Sequence, residues 1–363
     1  MKNGMTFTLK SLPPAGELES KKVLRQALQA NRRLAELKGL CLTIPNQSIL
    51  INTLALQEAK DSSAIENIIT TQDDLFKETA FPEFALNAAA KEVANYVSAL
   101  HIGYRRVSTT RMLTANHLIE IQTELERNRA GFRKLPGTEL KNMETGEVVY
   151  TPPQDHTKIV ELMSNLELFI NDDAMLEADP LVKMAIIHYQ FESIHPFYDG
   201  NGRTGRILNV LYLVLKELLE IPVLYLSRYI IRTKSDYYKL LQQVRESDDW
   251  ESWILYMLTA VENTSAATIR LISGIRVAIE DYRERIRSEF KFYSQDLINN
   301  LFFHPYTKIE FVEKDLKVSR LTAAKYLDAL SEAGLLRKEK LGRSNYFINL
   351  ALFDLLHAEE ESN

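Results

Sequence analysis

The sequence predicts an all-α protein that carries a small β-hairpin flap and ends in a winged helix-turn-helix unit. Three observations predict it. Apolar residues recur at three- and four-residue steps over most of the chain up to Phe292, which is the period of a helix with one buried face. Strand-like character before that point is confined to one short stretch rich in turn residues. Beyond it the pattern changes to two short helices followed by two short strand-like runs.

The first helix spans Glu17–Leu40, where Val23, Leu24, Ala27, Leu28, Leu34 and Leu37 line up between charged positions. Further helices are expected at Ile49–Ala59, Ser62–Thr70, Leu86–Gly103, Ala115–Asn128, Asp155–Asn171, Leu181–Ile194, Thr204–Leu219, Lys234–Arg245 and Trp250–Gly274. The exception is Arg133–Pro153, with Gly137, the turn-like Glu144-Thr145-Gly146, the β-prone Val148-Val149-Tyr150 and the closing Pro152-Pro153. That stretch reads as the flap hairpin. A charged helix, Val277–Phe292, leads into the last unit. There Lys308–Leu316 and Ser319–Ala333 are two helices, with Ser319 as N-cap and Gly334 as stop. Leu335–Lys340 and Tyr346–Asn349 follow as strands, separated by Gly342-Arg343-Ser344-Asn345. The expected division is 1–90 for the N-terminal helices, 91–275 for a central domain, 276–297 for the connecting helix and 298–363 for the winged helix.

Composition bounds the function. A chain of 363 residues, 45% hydrophobic, can bury a sizeable core in two or three domains. A net charge of −5 and a pI near 5.9 argue against a surface coated in basic charge, so any nucleic-acid contact is regional. One cysteine, Cys41, excludes an intrachain disulfide, and the opening MKNGMTFTLK lacks the apolar stretch of a signal peptide. A cytoplasmic location is expected. The best apolar run, Ile207–Leu219, is broken by Asn209 and Lys216, so no membrane contact is expected.

The chemistry lies in the twelve residues His195-Pro196-Phe197-Tyr198-Asp199-Gly200-Asn201-Gly202-Arg203-Thr204-Gly205-Arg206. Pro196 disfavours helix at His195, and a second apolar helix follows, so the segment is a helix–loop–helix junction. Gly200 and Gly202 let successive N–H groups point into one concavity beside a helix N-terminus, where phosphate binds. Arg203 and Arg206 share a face, yet cations at that end of a helix are disfavoured, so an anion is expected there. A di- or triphosphate satisfies both. Asp199 repels phosphate but suits Mg²⁺, which uses one or two carboxylates plus phosphate oxygens. His195 titrates near neutrality and can take a proton from a hydroxyl. Gly200-x-Gly202-x-x-Gly205 also matches the dinucleotide fingerprint, but that needs a preceding strand and a parallel sheet, and a helix precedes it here. No Lys-Ser or Lys-Thr follows the glycines, so it is not a P-loop.

His195 to Arg206 resembles the Fic signature, HPFx(D/E)GNGRxxR, at every defined position. The resemblance extends to the N-terminal helices, the flap and the winged-helix tail of one bacterial branch. It implies a protein adenylyltransferase that moves AMP from ATP to Ser, Thr or Tyr hydroxyls of proteins, itself included. His195 is then the catalytic base and Asp199 holds Mg²⁺. Gly200, Asn201 and Gly202 cradle phosphates, Asn201 steadying the α-phosphate, and Arg203 and Arg206 hold the distal ones. The ATP-binding set also takes in Glu66, His195, Thr204, Gly205, Tyr237 and Tyr238, the tyrosines matching a pair near the adenine. Relatives of the Doc branch carry Lys where Gly202 stands and act as kinases, so glycine favours AMP transfer.

Ser62-Ser63-Ala64-Ile65-Glu66-Asn67 resembles the family's inhibitory helix, (S/T)xxxE(G/N), expected here at 62–70. Ser62 and Glu66 lie four apart on one helical face, with Asn67 next to them, and the resemblance pairs Glu66 with Arg206. The flap residues Thr138, Glu139 and Leu140, by the same resemblance, pair with the target segment as an added strand. In the winged helix, Arg320, Thr322 and Lys325 are the outward candidates for a DNA groove, although such units also bind proteins or hold homodimers together. His188 reads as a core histidine. Two other readings stay open: a transcription regulator whose Fic body senses nucleotide, and a Fic-type transferase that uses another phosphate-containing donor.

Overall fold

The computed structural model describes residues 8–80, 88–141, 145–341 and 344–361. The chain forms two compact units. The first takes in residues up to Ala35, Glu58–Ile69 and Asn95–Ser265; the second takes in Glu36–Gln57, Thr70–Ala94 and the chain from Ala266 onward.

Four helices open the chain: α1 (Lys21–Cys41), α2 (Ser48–Ile65), α3 (Gln72–Ala80) and α4 (Ala88–Thr110). Leu86, the expected start of α4, lies outside the described residues. Next comes α5 (Ala115–Glu126), opened by a capping box between Thr114 and His117. A two-stranded hairpin follows, β1 (Leu140–Lys141) against β2 (Val148–Tyr150), antiparallel with Leu140 opposite Tyr150. Glu144 of its expected turn lies outside the described residues. Asp155 caps α6 (His156–Asn171), and Asp179 with Pro180 caps α7 (Pro180–Ile194). The body continues with α8 (Asn201–Leu215), α9 (Ser227–Arg232), α10 (Lys234–Ser247) and α11 (Trp250–Glu289).

The centre of the first unit is the α7–α8 pair. Every residue from Leu181 to Ile194 is buried, and so is most of α8; α6 packs on α7 and α5 on α8. Both helices are apolar nearly all round, the composition of elements enclosed on every side. Trp253 closes this core and donates its indole N–H to the Ala185 carbonyl at 2.8 Å.

Beyond shifted ends, such as α1 starting at Lys21 and not Glu17 and α8 spanning Asn201–Leu215 and not Thr204–Leu219, two expected helix breaks are absent. Ile49–Ala59 and Ser62–Thr70 are not two helices, because no Pro or Gly interrupts Lys60–Ser63 and α2 runs through it. It ends at Ile65 in a Schellman turn: Asn67 takes φ 63°, Asn67 N–H donates to the Ala64 carbonyl, and Ile68 N–H to the Ser63 carbonyl, each at 3.0 Å. Glu66 and Asn67 therefore stand on the turn that stops the helix. Likewise Trp250–Gly274 and Val277–Phe292 are one helix of 40 residues. Gly274 sits inside it because a Cβ there would lie 2.7 Å from Leu355 Cδ2, so the glycine lets α15 (Leu350–Glu361) pack close.

The C-terminal part of the second unit holds α12 (Gln295–Phe303), β3 (Tyr306–Lys308), α13 (Ile309–Leu316), α14 (Arg320–Glu332), β4 (Leu336–Leu341) and β5 (Ser344–Asn349). Ser319 caps α14 as expected, accepting from Thr322 N–H at 3.2 Å. The three strands pair antiparallel in the order β3-β5-β4. Two helices followed by a strand hairpin are compatible with the expected winged helix-turn-helix. Gly342 and Arg343 of its tip lie outside the described residues. Among the described residues no helix is long and apolar enough to cross a membrane.

Candidate active site

The site forms where α7 hands over to α8. His195 leaves α7 in the left-handed conformation, φ 48° and ψ 58°, its N–H still donating to the Phe191 carbonyl at 3.0 Å. Gly200, at φ 76°, starts α8 in the same region, which glycine enters without a Cβ penalty. From the first position of α8 the Asn201 side chain staples the loop, donating to the Phe197 carbonyl and accepting from Phe197 N–H, both at 2.8 Å. Asn201 is buried and its amide is engaged inside the loop, where it shapes the turn.

The first turn of α8 presents N–H groups and two cations together. Arg203 donates to Glu126 Oε1 and Arg206 to Glu66 Oε1, each at 2.8 Å, and both arginine side chains are at most 3% exposed. Arg206 also donates through Nε to Ser62 Oγ at 2.7 Å and through Nη2 to the Ser62 carbonyl at 2.9 Å. The expected anions are thus supplied by the protein, as two carboxylates. A Cβ added at Gly202 would fall on Glu66 Oε1, and one at Gly200 would fall on Glu126 Oε1. Both carboxylates therefore lie over the concavity that the glycines open. Burial raises the Glu66 carboxyl, but the charges of Arg206, Arg203 and Lys234 and the Arg206 hydrogen bond outweigh it and hold Glu66 below the usual carboxylate range.

His195 is pushed down to about 4 by burial and by the guanidinium of Arg133, with Arg245 adding to the effect and Glu66 opposing it. At neutral pH its imidazole is uncharged and able to accept a proton. Glu192, one turn earlier on α7, is buried and raised to about 7 by burial. Its Oε1 sits 2.5 Å from where a Gly205 Cβ would be, and among the described residues it has no hydrogen-bond partner. Asp199 is exposed beside the loop, with Oδ1 accepting from Gly200 N–H at 2.7 Å. Among the described residues no three His, Cys, Asp or Glu gather to hold a metal by themselves. One exposed carboxylate beside a glycine turn fits Mg²⁺ of the kind whose other ligands are phosphate oxygens and water.

Other expected residues separate into supporting and facing positions. Thr204 is buried, with its N–H donating to the Gly200 carbonyl at 2.9 Å, and Gly205 packs on Phe191 and Glu192, so these two support the loop from behind. Tyr237 is a core residue, 2% exposed, its hydroxyl 2.9 Å from His188 Nε2, whereas Tyr238 is 46% exposed. Their rings stand 5.1 Å apart, so Tyr238 is the exposed member of the pair and Tyr237 lies behind it. His188 is the core histidine expected, held also by Asn209 at 3.1 Å. In the flap, Gln154 accepts from Gly137 N–H at 2.6 Å and donates to the Thr138 carbonyl at 3.0 Å, and Glu139 pairs with Lys141 at 3.2 Å.

Sequence reasoning missed Glu126, Glu192, Arg133 and Arg245. Glu192 had a signal, lying one helical turn before His195; Glu126 and Arg245 come from distant helices with no motif around them.

Three family models match the chain in order: the Fic/DOC family N-terminal region over 24–105, the Fic/DOC family over 112–213, and the C-terminal domain of SoFic-like protein adenylyltransferases over 279–352. A protein adenylyltransferase, fic-1 of Caenorhabditis briggsae, is 26% identical over 187 residues, 51% of this chain and 35% of that protein. A probable protein adenylyltransferase of Aquifex aeolicus is 28% identical over 180 residues, 50% of this chain and 54% of that protein. The chain thus spans about a third to a half of the length of these relatives. In fold it is similar to a Fic family protein from Desulfovibrio desulfuricans, with a TM-score of 0.56 at 20% identity over 93% of this chain and 98% of that one. It is also similar to Fic-1 of Caenorhabditis elegans, with a TM-score of 0.53 at 18% identity over 68% and 72%.

Proposed function

Since the chain belongs to the Fic/DOC family, we propose that it is a protein adenylyltransferase, transferring AMP from ATP to Ser, Thr or Tyr hydroxyls of proteins and held back by its own Glu66. The observation that carries this reading is the junction of α7 and α8. A half-buried, uncharged His195 stands in the same loop as a glycine turn whose two buried arginines are already matched by carboxylates.

In the reaction so proposed, the ATP phosphates replace Glu66 over Gly202 and take the charges of Arg203 and Arg206. His195 accepts the proton of the target hydroxyl. The hydroxyl oxygen forms a bond to the α-phosphorus while the bond to the bridging β-phosphate oxygen breaks, and pyrophosphate leaves with its charge held by the arginines. Asp199 would hold Mg²⁺, which supplies charge neutralisation at the phosphates. Most of the catalysis is then positioning and preformed charge. Glu66 opposes it by occupying Arg206 where a phosphate would bind. The flap would offer its edge to an extended target segment.

For the C-terminal unit we favour protein contacts, including a homodimer, over DNA. Arg320 is paired with Glu310 and Lys338 with Asp328, each at 2.7 Å, which reduces the positive charge a phosphate backbone needs.

The test is incorporation of label from α-labelled ATP with Mg²⁺ into the protein itself, for wild type, Glu66→Gly, and Glu66→Gly with His195→Ala. Strong labelling of Glu66→Gly, weak labelling of wild type and none in the double variant is the expected result. Label from γ-labelled ATP instead would replace this reading with a kinase.

A further inference from the structure

Arg133 is tied to the catalytic loop by its side chain and its main chain, yet it lies outside the signature. The chain leaves α5 at Glu126, passes Phe132 and reaches Arg133 at the root of the flap, ahead of β1. The Arg133 side chain is fully buried. Its Nε donates to the His195 carbonyl at 2.8 Å, and its Nη2 donates to the Ile194 carbonyl at 3.3 Å and to the Pro153 carbonyl. Its main-chain N–H donates to the Pro196 carbonyl at 2.8 Å, and its own carbonyl lies 2.9 Å from His156 Nδ1. One residue thus satisfies three successive carbonyls at the end of α7 and one at the exit of the flap.

The neighbours reinforce the joint. Tyr198 Oη accepts from Lys134 N–H at 2.9 Å and Leu135 N–H at 3.1 Å, and the Phe132 and Phe197 rings stand 5.3 Å apart. At the other end of the flap, Tyr150 donates its hydroxyl to the Ser193 carbonyl at 2.7 Å, with the Arg245 guanidinium 3.8 Å over its ring. A non-glycine residue in the left-handed region persists where its surroundings over-determine it, and His195 is such a residue. A cation at a helix C-terminus is favourable, and the planar fork of arginine can reach several carbonyls where the point charge of lysine cannot.

We infer that Arg133 is a positioning residue that locks the loop carrying His195 to the root of the flap, so that an acceptor segment on the flap and the base share one support. This rests on the adenylyl-transfer reading. Arg133 makes no bond to Arg203, Arg206 or the residues over the nest among those described, so it is expected to act on the rate and not on nucleotide binding. The charges acting on His195 are those of Arg133, Arg245 and Glu66, with the Glu192 main chain opposing the two arginines.

The experiment compares Arg133→Gln and Arg133→Lys in the Glu66→Gly protein. The rate of self-labelling at saturating ATP should fall on the order of 10²-fold in Arg133→Gln. The ATP concentration giving half that rate should stay within about threefold. The acid limb of the rate should move to higher pH in Arg133→Gln but not in Arg133→Lys, which keeps the charge. Without reference to activity, amide exchange at residues 133–135 and in β2 should accelerate together with exchange around the loop. A half-saturating ATP concentration that rises in step with the loss of rate would overturn the inference, because Arg133 would then serve nucleotide binding. So would unchanged exchange in β2. If the Glu66→Gly parent takes no label, the transferase reading fails by itself, and the coupled exchange still decides the role of Arg133.

Discussion

Glu66→Ala removes the carboxylate that faces Arg206 and leaves the guanidinium with its two bonds to Ser62. Breaking a fully buried ion pair costs about 3–5 kcal/mol. The Glu66 side chain keeps 35% exposure, so water screens the pair and the loss is discounted to about 1–2 kcal/mol. Without nucleotide the variant should therefore melt earlier, by roughly 2–4 °C for each kcal/mol. The same free energy opposes ATP in the wild type, because Arg206 cannot face Glu66 and a phosphate at once. The variant should consequently bind a non-hydrolysable ATP analogue about 5–30-fold more tightly, and saturating analogue should stabilise it more than it does the wild type. Calorimetric titration and thermal melts with and without analogue read both effects. Glu66 is held below the ordinary carboxylate value of 4.5, so the pair persists at every pH above that and weakens only as pH falls through the lower folded value. The affinity difference should accordingly be the same at pH 6 and pH 8. Equal melting points and equal analogue affinities for variant and wild type would refute the competition between Glu66 and phosphate.

Gly202→Ala puts a Cβ onto Glu66 Oε1 and 2.9 Å from Arg206 Nη1, in a helical position where alanine is otherwise favourable. It should fold normally by circular dichroism, yet fail to take up label even in the Glu66→Gly background. Tyr237→Phe loses one buried hydroxyl bond to His188 and should cost about 1 kcal/mol in denaturant melts, with label incorporation nearly unchanged if Tyr237 is a core residue. Glu58 is buried on α2, bonded by Tyr96 and Ser227, and raised to about 7 by burial. A carboxyl whose folded value exceeds its unfolded one contributes stability that is complete below about 4.5 and declines as pH rises toward 7, by up to about 1.4 kcal/mol per pH unit. Glu58→Gln should flatten that decline between pH 5 and pH 8, leaving the similar share from Glu192.

The helices and the loop were legible in the sequence because their causes are local. Apolar period, Asp155, Asp179 and Ser319 as caps, and Pro196 after His195 act within one or two turns, and α5, α6, α7, α10 and α14 lie close to where the pattern puts them. Small elements such as α3, α9 and β3 escaped, being too short to show a period. The polar run Lys60–Ser63 looked like a break in α2, since a sequence does not reveal that Ser62 meets Arg206 and Asp61 meets Arg228.

By itself the sequence determined that a histidine, a carboxylate, two glycines and two arginines stand in one turn between two apolar helices, and that an anion must meet those arginines. The resemblance named Glu66 for Arg206, and the structure brings the two together; only the tertiary structure decided that Arg203 meets Glu126 from the end of α5. It alone put Tyr237 in the core and made Arg133 the tie between loop and flap. Charge balance at a helix end is a local requirement that any sequence states openly. The partner that meets it comes from wherever the fold brings a carboxylate within 3 Å, and that depends on packing between segments up to 140 residues apart.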